Sequence, residues 1–442
     1  MSSNQSVRST AIKIVNELDP NFSGYQKKLN LYKDKNEYSE SDEQFLYNLV
    51  KGTIIYKKLL DYIVNIAYNS SISQLEPVAL NILRIGVYQK EILDTPSHAY
   101  VYETVECTKE LGRTDLTGLV NGVLRNLPER EVWSQKINKL ENQKEQAIRY
   151  SHPDWMVQRW QNKFGTENTQ KLLQFNNNYT KVFFRHNPLK LSWEEFLSRV
   201  PSHQNIKIIQ KEPLHFFTVD NPGSILKSEL IERGYCSVQD FSQSLSVLLL
   251  SPQKGEKIID ACAAPGGKSA YIAQLAQNNL KLIQGDISEE RLRILKKNME
   301  QLGIEIAKTV QADATNENFP QADKILLDVP CTGTGVIARK ADLRWNKNQN
   351  DIKDYVQTQY KILKNMSKFV KKGGTIVYNT CSLEYEENWK VVEKFLSEET
   401  KFGIINANKT IANEFCDEKG AMNIKPFKNK LTGSFAVKMV KE

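Results

Sequence analysis

Two cysteines stand 50 residues apart, each in a polar segment rich in glycine or threonine. Cys331 lies within 328–335 (DVPCTGTG) and Cys381 within 379–382 (NTCS). A thiolate can attack an electron-poor ring carbon and form a covalent intermediate, and a second thiol nearby can act as a base or assist release. A carboxylate such as Asp328 can hydrogen-bond the ring nitrogens and polarise the ring. The pattern predicts covalent catalysis on a heterocyclic ring, with two buried, chemically inert cysteines as the alternative.

A glycine-rich turn precedes both cysteines in the chain. The segment 260–268 (DACAAPGGK) follows an apolar run at 257–259 and precedes a predicted helix at 269–276. A strand, a turn with paired glycines and a helix N-terminus together form a site where backbone N–H groups can face a ligand. A tight turn without a ligand is the alternative for the glycine pair alone. A nicotinamide cofactor is disfavoured because the G-x-G-x-x-G pattern is missing.

Strands that alternate with helices must position these residues. Predicted strands end with acidic side chains, and helices are predicted between them at 289–302, 351–370 and 386–396. The acidic residues are Asp260, Asp286, Asp313 and Asp328. The alternation predicts a doubly wound, mostly parallel sheet that binds its ligands at the carboxyl ends of the strands. Asp286 follows Gly266 by 20 residues, a spacing that suits a carboxylate bound to the ribose of a nucleoside cofactor.

The first 130 residues have a different pattern of apolar residues. Apolar residues recur at helical spacing in six segments, which predicts an all-helical bundle. The segments are 8–18, 43–51, 54–67, 78–93, 98–111 and 116–127. Five basic residues in this region can form a positive face, with scattered solvated charges as the alternative. They are Arg84, Lys90, Arg113, Arg125 and Arg130.

Between the two regions lies a segment with weaker signals. Residues 131–144 read as a charged helix or linker, and apolar runs at 182–185 and 214–219 predict strands around a helix at 193–200. These signals predict a small α/β region. The predicted organisation is a helical domain at 1–130, a linker and small α/β subdomain at 131–235, and an α/β domain at 236–442.

Composition excludes several classes of protein. The chain has 442 residues, 40% of them hydrophobic, which is typical of a globular protein with room for more than one domain. Its six cysteines do not have the spacing of a zinc site or a disulfide framework, so no metal is predicted and a reducing cytoplasm is expected. Residues 1–10 are polar, unlike a secretory signal, and no run predicts a membrane span. The net charge of +8 permits nucleic-acid binding without requiring it.

Three motifs together resemble the RNA cytosine-5 methyltransferases that use S-adenosyl-L-methionine. The motifs are 262–268 (CAAPGGK), Asp-x-Pro-Cys at 328–331 and Thr-Cys-Ser at 380–382. The resemblance implies that Cys381 is the nucleophile and that Cys331 helps to resolve the covalent adduct. DNA cytosine methyltransferases use the Pro-Cys cysteine instead, so the presence of Cys381 argues against that class. Lys268 and Asp328 are expected to border the target base.

The same resemblance implies a set of cofactor-binding residues and a Rossmann-like fold for the C-terminal domain. Asp286 is expected to bind the ribose and Asp313 the adenine of the cofactor. The full implied set is Cys262, Ala263, Ala264, Pro265, Gly266, Gly267, Lys268, Asp286, Asp313 and Asp328.

The N-terminal region resembles the NusB-like helical RNA-binding domain that some of these enzymes carry. The matching stretches are 83–89 (LRIGVYQ), 98–101 (HAYV) and 120–125 (VNGVLR), and 152–155 and 238–240 fit the region that follows. This combination is similar to the Sun/Fmu group of bacterial small-subunit rRNA enzymes. It implies cytosine 967 of 16S rRNA as the target, modified before subunit assembly, with neither DNA nor a membrane as partner.

The chain departs from the family pattern at three places. Val329 stands where alanine is usual, 340–342 (KAD) replaces x-Pro-Asp, and 432–435 (TGSF) stands where Asp-Gly-Phe-Phe is common. Two alternatives to the rRNA enzyme stay open. One is an active methyltransferase with another RNA target, since target choice depends on RNA shape. The other is a non-catalytic RNA-binding or antitermination protein, which the presence of both cysteines and Asp328 disfavours.

Overall fold

Apolar residues at helical spacing fold the N-terminal part of the chain into packed helices. The computed structural model describes residues 6–178, 181–305 and 308–442, so the polar start of the chain lies partly outside the described residues. One compact unit comprises Met1–Asn178 with Ile337–Gln349, and the other comprises Tyr179–Val336 with Asn350–Glu442. Helices of the first unit are α1 Val7–Leu18, α2 Tyr25–Lys35, α3 Glu40–Ala67, α4 Pro77–Glu91, α5 Ser97–Glu110, α6 Thr117–Arg125, α7 Arg130–Asn138, α8 Asn142–Arg149, α9 Asp154–Phe164 and α10 Thr166–Asn177.

The predicted helices of this unit are confirmed, with two differences. The segments 43–51 and 54–67 form one continuous helix, α3, and residues 131–144 comprise most of α7, a short connection at 139–141 and the start of α8. Helix α2 was not predicted because it is mostly polar and buries only Tyr25 and Leu29. Without an apolar period, the sequence pattern does not distinguish such a helix from a loop.

The expectation of a positive face is wrong for Arg84. Its side chain is only 3% exposed and forms ion pairs with Asp61 at 2.6 Å and Asp19 at 3.1 Å. Arg113 is also paired, with Glu76 at 2.9 Å and Asp115 at 2.7 Å. The ion pairs of Arg84 compensate the charge of a buried guanidinium, whereas Arg113 and its two carboxylate partners are partly exposed.

The second unit begins with a small antiparallel sheet whose strand order is β2-β3-β1-β4. Its inner face buries Phe184 and Phe217, whose rings stack at 5.5 Å. This region confirms the predicted small α/β segment. Its strands are β1 Phe184–His186, β2 Ile206–Gln210, β3 Phe216–Val219 and β4 Cys236–Val238, with helices α11 Trp193–Arg199, α12 Pro222–Leu226 and α13 Glu229–Glu232.

A larger sheet follows, with β7-β6-β5-β8-β9 parallel and β12, β10 and β11 added antiparallel at one side. The predicted doubly wound, mostly parallel architecture is confirmed. The strands are β5 Lys257–Asp260, β6 Lys281–Asp286, β7 Lys308–Gln311, β8 Ala322–Asp328, β9 Val370–Thr380, β10 Phe402–Ile405, β11 Met422–Ile424 and β12 Ser434–Lys441. The helices are α14 Phe241–Leu250, α15 Gly267–Leu275, α16 Glu289–Leu302, α17 Leu343–Asn346, α18 Asp351–Met366, α19 Trp389–Glu398 and α20 Pro426–Asn429.

Two boundaries in this sheet differ from prediction. Strand β7 ends at Gln311, so Asp313 lies two residues beyond the strand. Helix α19 begins at Trp389 rather than at 386, which leaves Glu387 in the preceding loop. Within the described residues, no helix is both long and apolar enough to cross a bilayer.

Candidate active site

The topology places the predicted functional segments at one edge of the large sheet. From β5 the chain moves outward through β6 and β7, then returns to β8 on the opposite side of β5 and continues to β9. The change of direction between β5 and β8 is a topological switch point, where ligands bind in doubly wound folds. Asp260, Asp286, Asp328 and Thr380 each end a strand at this edge.

The glycine turn after β5 has a backbone conformation that requires glycine. Gly266 has a φ of +106°, and an added Cβ there would lie 2.7 Å from the Cε atom of Met299. The backbone angle disfavours any residue with a Cβ, whereas the contact could be relieved by a small movement of the flexible Met299 side chain. Gly267 begins α15 directly afterwards, so the N–H groups of the first helical turn are available to a ligand at this loop.

Side chains of α16 hold the same loop from the other side. Arg291 donates a hydrogen bond to the carbonyl of Ala264, and the Nδ2 atom of Asn298 donates to the carbonyl of Pro265 at 2.9 Å. The predicted cofactor segment 262–268 is therefore fixed by contacts outside itself. Sequence reasoning did not identify Arg291 or Asn298, because each lies on a helix face that reads as ordinary solvated surface.

Asp286 lies next to this loop as a buried, oriented carboxylate. Its Oδ2 atom accepts a hydrogen bond from the N–H of Ala264 at 3.3 Å and lies 3.3 Å from the Nη1 atom of Arg291. Its Oδ1 atom accepts from the N–H of Ser288 at 3.0 Å. These contacts hold the carboxylate at the end of β6, where further lone pairs can accept hydroxyl hydrogens.

Asp313 is less tightly held. Its Oδ1 atom accepts a hydrogen bond from the N–H of Thr315 at 2.9 Å, and the side chain is half-buried in the turn after β7. Asp260 is fully buried, and its Oδ2 atom accepts from the hydroxyl of Ser269 at 2.7 Å. Burial raises the pKa of Asp260 to about 7, with the nearby charge of Asp328 adding to the effect.

Lys268 and Asp328 form an ion pair on the opposite side of the loop. The Nζ atom lies 2.5 Å from Oδ2, and the lysine side chain is 12% exposed. Asn379 donates to the other carboxylate oxygen. Burial opposes the charge on Lys268, but the attraction of Asp328 outweighs it and raises the pKa of this lysine.

The two predicted cysteines meet in the same pocket. The Sγ atoms of Cys331 and Cys381 lie 3.2 Å apart. The pKa of Cys331 is held well above its usual value, first by its hydrogen bond to Cys381 and then by burial. The negative charge of Cys381 also raises the pKa of Lys268, and because this attraction is mutual, Lys268 favours the thiolate form of Cys381. The two sulfurs therefore have different electrostatic surroundings: the ammonium of Lys268 acts on Cys381, whereas a neighbouring thiol and burial act on Cys331.

Close backbone packing holds the loops that carry the thiols. The N–H of Gly335 donates to the carbonyl of Cys381 at 2.9 Å, and the N–H of Gly433 donates to the carbonyl of Gly335 at 2.7 Å. An added Cβ on Gly335 would lie 2.8 Å from the Cys381 carbonyl oxygen. The unusual segment 432–435 thus keeps the glycine that this contact requires, and Thr432 is tied to Asp240 by a 2.8 Å hydrogen bond.

Comparisons with known proteins agree along the chain. The model of the family described as 16S rRNA methyltransferase RsmB/F matches residues 247–440, the NusB family model matches 5–129, and the RsmF/B-like ferredoxin-like domain model matches 152–211. The probable ribosomal RNA small subunit methyltransferase B of Bacillus subtilis (strain 168) is 32% identical over 407 residues, which cover 90% of this chain and 89% of that protein. The chain belongs to the family of ribosomal RNA small subunit methyltransferases B. It is therefore an rRNA methyltransferase that takes its methyl group from S-adenosylmethionine.

Solved structures agree on the fold. The crystal structure of PH0851 covers 99% of this chain and 100% of its own, with a TM-score of 0.81 at 23% identity. A methyltransferase homolog protein from Pyrococcus horikoshii covers 67% of this chain and 98% of its own, with a TM-score of 0.59 at 27% identity. The first likeness supports the fold over nearly the whole chain, and the second relates about two thirds of it to a methyltransferase homolog.

The geometry of the RsmB-type site fits S-adenosylmethionine. The oriented carboxylate of Asp286 suits the two ribose hydroxyls, and it lies against the glycine turn through its contact with the N–H of Ala264. The cofactor supplies an electrophilic methyl group. Ala264, Gly267 and Asp286 are the residues that would hold its nucleoside, next to the Lys268–Asp328 pair.

Proposed function

We propose that the chain methylates carbon 5 of a cytosine in 16S rRNA, at position 967, through a covalent cysteine–cytosine intermediate. The observation that carries this proposal is the pair of thiols 3.2 Å apart beside the Lys268–Asp328 ion pair. We assign the role of nucleophile to Cys381, because the ammonium of Lys268 acts electrostatically on this thiol. A single-cysteine site, or two thiols in unrelated loops, would not support a two-step addition and release.

In the first step, the Cys381 thiolate attacks carbon 6 of the cytosine and forms an Sγ–C bond. The electron pair of the 5,6 double bond then makes carbon 5 the nucleophile for the methyl group. Asp328 borders the base and hydrogen-bonds its polar edge, while Lys268 and Asn379 hold the carboxylate in place. This arrangement stabilises the charge that develops on the ring during attack.

Release requires two further changes. The proton on carbon 5 must pass to a base such as water, and the electron pair that it leaves re-forms the double bond as the Sγ–C6 bond breaks and Cys381 returns as a thiolate. We assign assistance in this step to Cys331, because its sulfur is the group adjacent to Cys381. Carbon 6 is reachable only when the base has left its stack, so RNA contacts away from the base must compensate for unstacking.

The proposed division of labour follows the predicted domains. Residues 1–130, which the NusB family model matches almost throughout, hold the RNA. Residues 131–235 form the linker and small α/β subdomain, and 236–442 carry out the chemistry with Asp286 on the ribose and Asp313 on the adenine. The substrate is free 16S rRNA in the cytoplasm before subunit assembly.

The test is to map the product. Purified protein is incubated with labelled S-adenosylmethionine and either protein-free 16S rRNA or assembled small subunits, and 5-methylcytosine is located by bisulfite sequencing. We expect one modified cytosine, at 967, on the free RNA and little modification of the subunit. Modification elsewhere would identify another RNA target. No methylation of any RNA, together with tight RNA binding, would identify a non-catalytic RNA-binding protein.

A further inference from the structure

A buried carboxylate lies behind the two cysteines. Glu387 is fully buried in the loop between Cys381 and α19. Its Oε1 atom accepts hydrogen bonds from the N–H of Thr332 at 2.9 Å and from the Nε2 atom of Gln359 at 3.0 Å. Its Oε2 atom accepts from the hydroxyls of Thr332 and Ser382. Each of these donors is neutral, so hydrogen bonds compensate the burial of this carboxylate.

The contacts of Glu387 link the two cysteine loops. Thr332 directly follows Cys331, and Ser382 directly follows Cys381. A single carboxylate therefore binds the neighbour of each thiol. The Thr332 and Ser382 hydroxyl oxygens lie 3.2 Å from each other, so Glu387, Thr332 and Ser382 are all in mutual hydrogen-bonding contact.

Gln359 and Tyr378 connect Glu387 to the sheet domain. Gln359 on α18 also donates to the carbonyl of Pro330 at 2.9 Å, so it holds the Cys331 loop on the other side of the thiol. Tyr378 on β9 donates to the backbone carbonyl of Glu387 at 2.5 Å. The separation of the two loops is thus set by groups that are themselves anchored on a helix and a strand of the sheet domain.

Burying a carboxylate between two loops carries a large desolvation penalty. Apolar residues of similar volume often stabilise a protein as well or better than buried charged groups. A carboxylate offers what an apolar side chain does not, namely two oxygens at fixed separation that accept from two different loops. Glu387 is fully buried and binds the residue that follows each cysteine, so it can affect the reaction through the two cysteine loops.

We propose that Glu387 is a positioning residue that sets the separation and orientation of the Cys331 and Cys381 sulfurs. Its effect on methyl transfer rests on the proposed roles of the two cysteines, whereas its effect on their separation does not. Displacement of a reacting group by about 1 Å costs about 100-fold in rate. Loss of the clamp formed by Glu387, Thr332 and Ser382 is therefore expected to lower kcat and leave the KM for S-adenosylmethionine unchanged.

The separation can be measured without any methyl transfer, through disulfide formation. In the absence of RNA and cofactor, diamide takes two electrons and two protons from the Cys331 and Cys381 thiols and leaves an Sγ–Sγ bond between them. Peptide mapping by mass spectrometry follows this pair separately from the other four cysteines. The variants are Glu387→Ala, Glu387→Gln and Thr332→Val. The matched control is Glu393→Gln, which changes a half-exposed carboxylate of α19 paired with Lys419 at 2.7 Å.

We expect Glu387→Ala to slow disulfide formation about tenfold and to lower kcat about 100-fold, with intermediate effects for Glu387→Gln, because the thiols lose their shared support. Glu393→Gln should behave as the unmodified chain. If Glu387→Ala does not fold, Thr332→Val, which removes one hydroxyl donor and keeps the shape, should still slow disulfide formation about threefold. Unchanged disulfide rate and kcat in the folded variants would overturn the proposal. If the variants slow disulfide formation but the unmodified chain methylates no RNA, the proposed function is overturned, whereas the positioning role of Glu387 is supported.

Discussion

Cys331 and Cys381 carry the same functional group, but their surroundings affect the two thiols differently. The hydrogen bond between Cys331 and Cys381, together with burial, raises the pKa of Cys331 well above the usual range. Cys381 lies within the electrostatic reach of the ammonium of Lys268, whose own pKa it helps to raise. The proposed division between nucleophile and assisting group is therefore based on the surroundings of the two cysteines rather than on the thiols alone.

The ribose contact of Asp286 can be tested at the same scale. Asp286→Ala should weaken binding of S-adenosylmethionine by about 1.5–3 kcal/mol, the value of a hydrogen bond to a charged group. Asp313→Ala should have a smaller effect, because Asp313 is held in a looser turn beyond the strand. Isothermal titration calorimetry of both variants measures the difference. If Asp286→Ala binds S-adenosylmethionine with unchanged affinity, Asp286 does not bind the ribose.

Asp260 should make folding stability depend on pH. Its folded pKa of about 7 lies above the value in an unfolded chain, so the folded state holds the proton more tightly. The stability that this proton provides is complete at low pH and is lost as the pH rises from about 4 to about 7. Asp260→Asn mimics the neutral form.

As the pH rises, the unmodified chain should therefore lose stability relative to Asp260→Asn. The difference in free energy of unfolding should grow by up to about 1.4 kcal/mol per pH unit and level off above about pH 8. Urea unfolding at pH 5, 6, 7 and 8 measures it. A difference that stays constant across this range would show that the pKa of Asp260 is not raised in the folded protein.

Sequence reasoning identified the proposed reacting groups but not the residues that position them. Cys331, Cys381, Asp328 and Lys268 lie in motifs at or next to strand ends, and strand topology predicts that they meet. Glu387 carries no such signal, because its partners include Thr332 and Gln359, which lie 55 and 28 residues away in sequence, and one of these contacts is to a backbone N–H. A predicted helix start at 386 placed it on a helix, where a glutamate reads as solvated surface.

The short helix α17 contains residues whose hydrogen-bond partners lie far away in the sequence. Arg344 is fully buried within the helical unit, and its guanidinium donates to the carbonyls of Ile55 and Ser151, each at 3.1 Å, and to the Oδ1 atom of Asn177 at 2.8 Å. The indole of Trp345 donates to the carbonyl of Ile54 at 2.6 Å. Two of these acceptors lie almost 300 residues away in sequence and are backbone atoms, so no sequence pattern could predict the contact.

Arg344→Ala should destabilise the helical unit by about 3 kcal/mol or more, because it leaves several buried acceptors without donors. Lys340→Ala, in the same segment but on the surface, is the matched control and should change the free energy of unfolding by less than about 0.5 kcal/mol. Circular dichroism during urea unfolding compares the two variants. Equal stability of the Arg344 variant and the control would show that α17 is not an anchor of this unit.

For the whole molecule, the chain enters the helical unit twice. Met1–Asn178 and Ile337–Gln349 belong to it together, and the second segment follows the Cys331 loop by only a few residues. A fragment that begins near residue 151 would leave Arg344 and Trp345 without the carbonyls of Ile54 and Ile55. The roles of the two units are therefore better separated by point variants of the full chain than by truncation.

The central claim is that Cys381 forms, and Cys331 helps to break, a covalent bond to cytosine. The most direct measurement incubates the unmodified chain, Cys381→Ala and Cys331→Ala with 16S rRNA and labelled S-adenosylmethionine. Each reaction is then separated on a denaturing gel that resolves free protein from protein–RNA adduct. We predict methylated RNA without lasting adduct for the unmodified chain, neither product for Cys381→Ala, and accumulated methylated adduct for Cys331→Ala. Methyl transfer by Cys381→Ala, or adduct from that variant in place of Cys331→Ala, would contradict the assignment of the two cysteines.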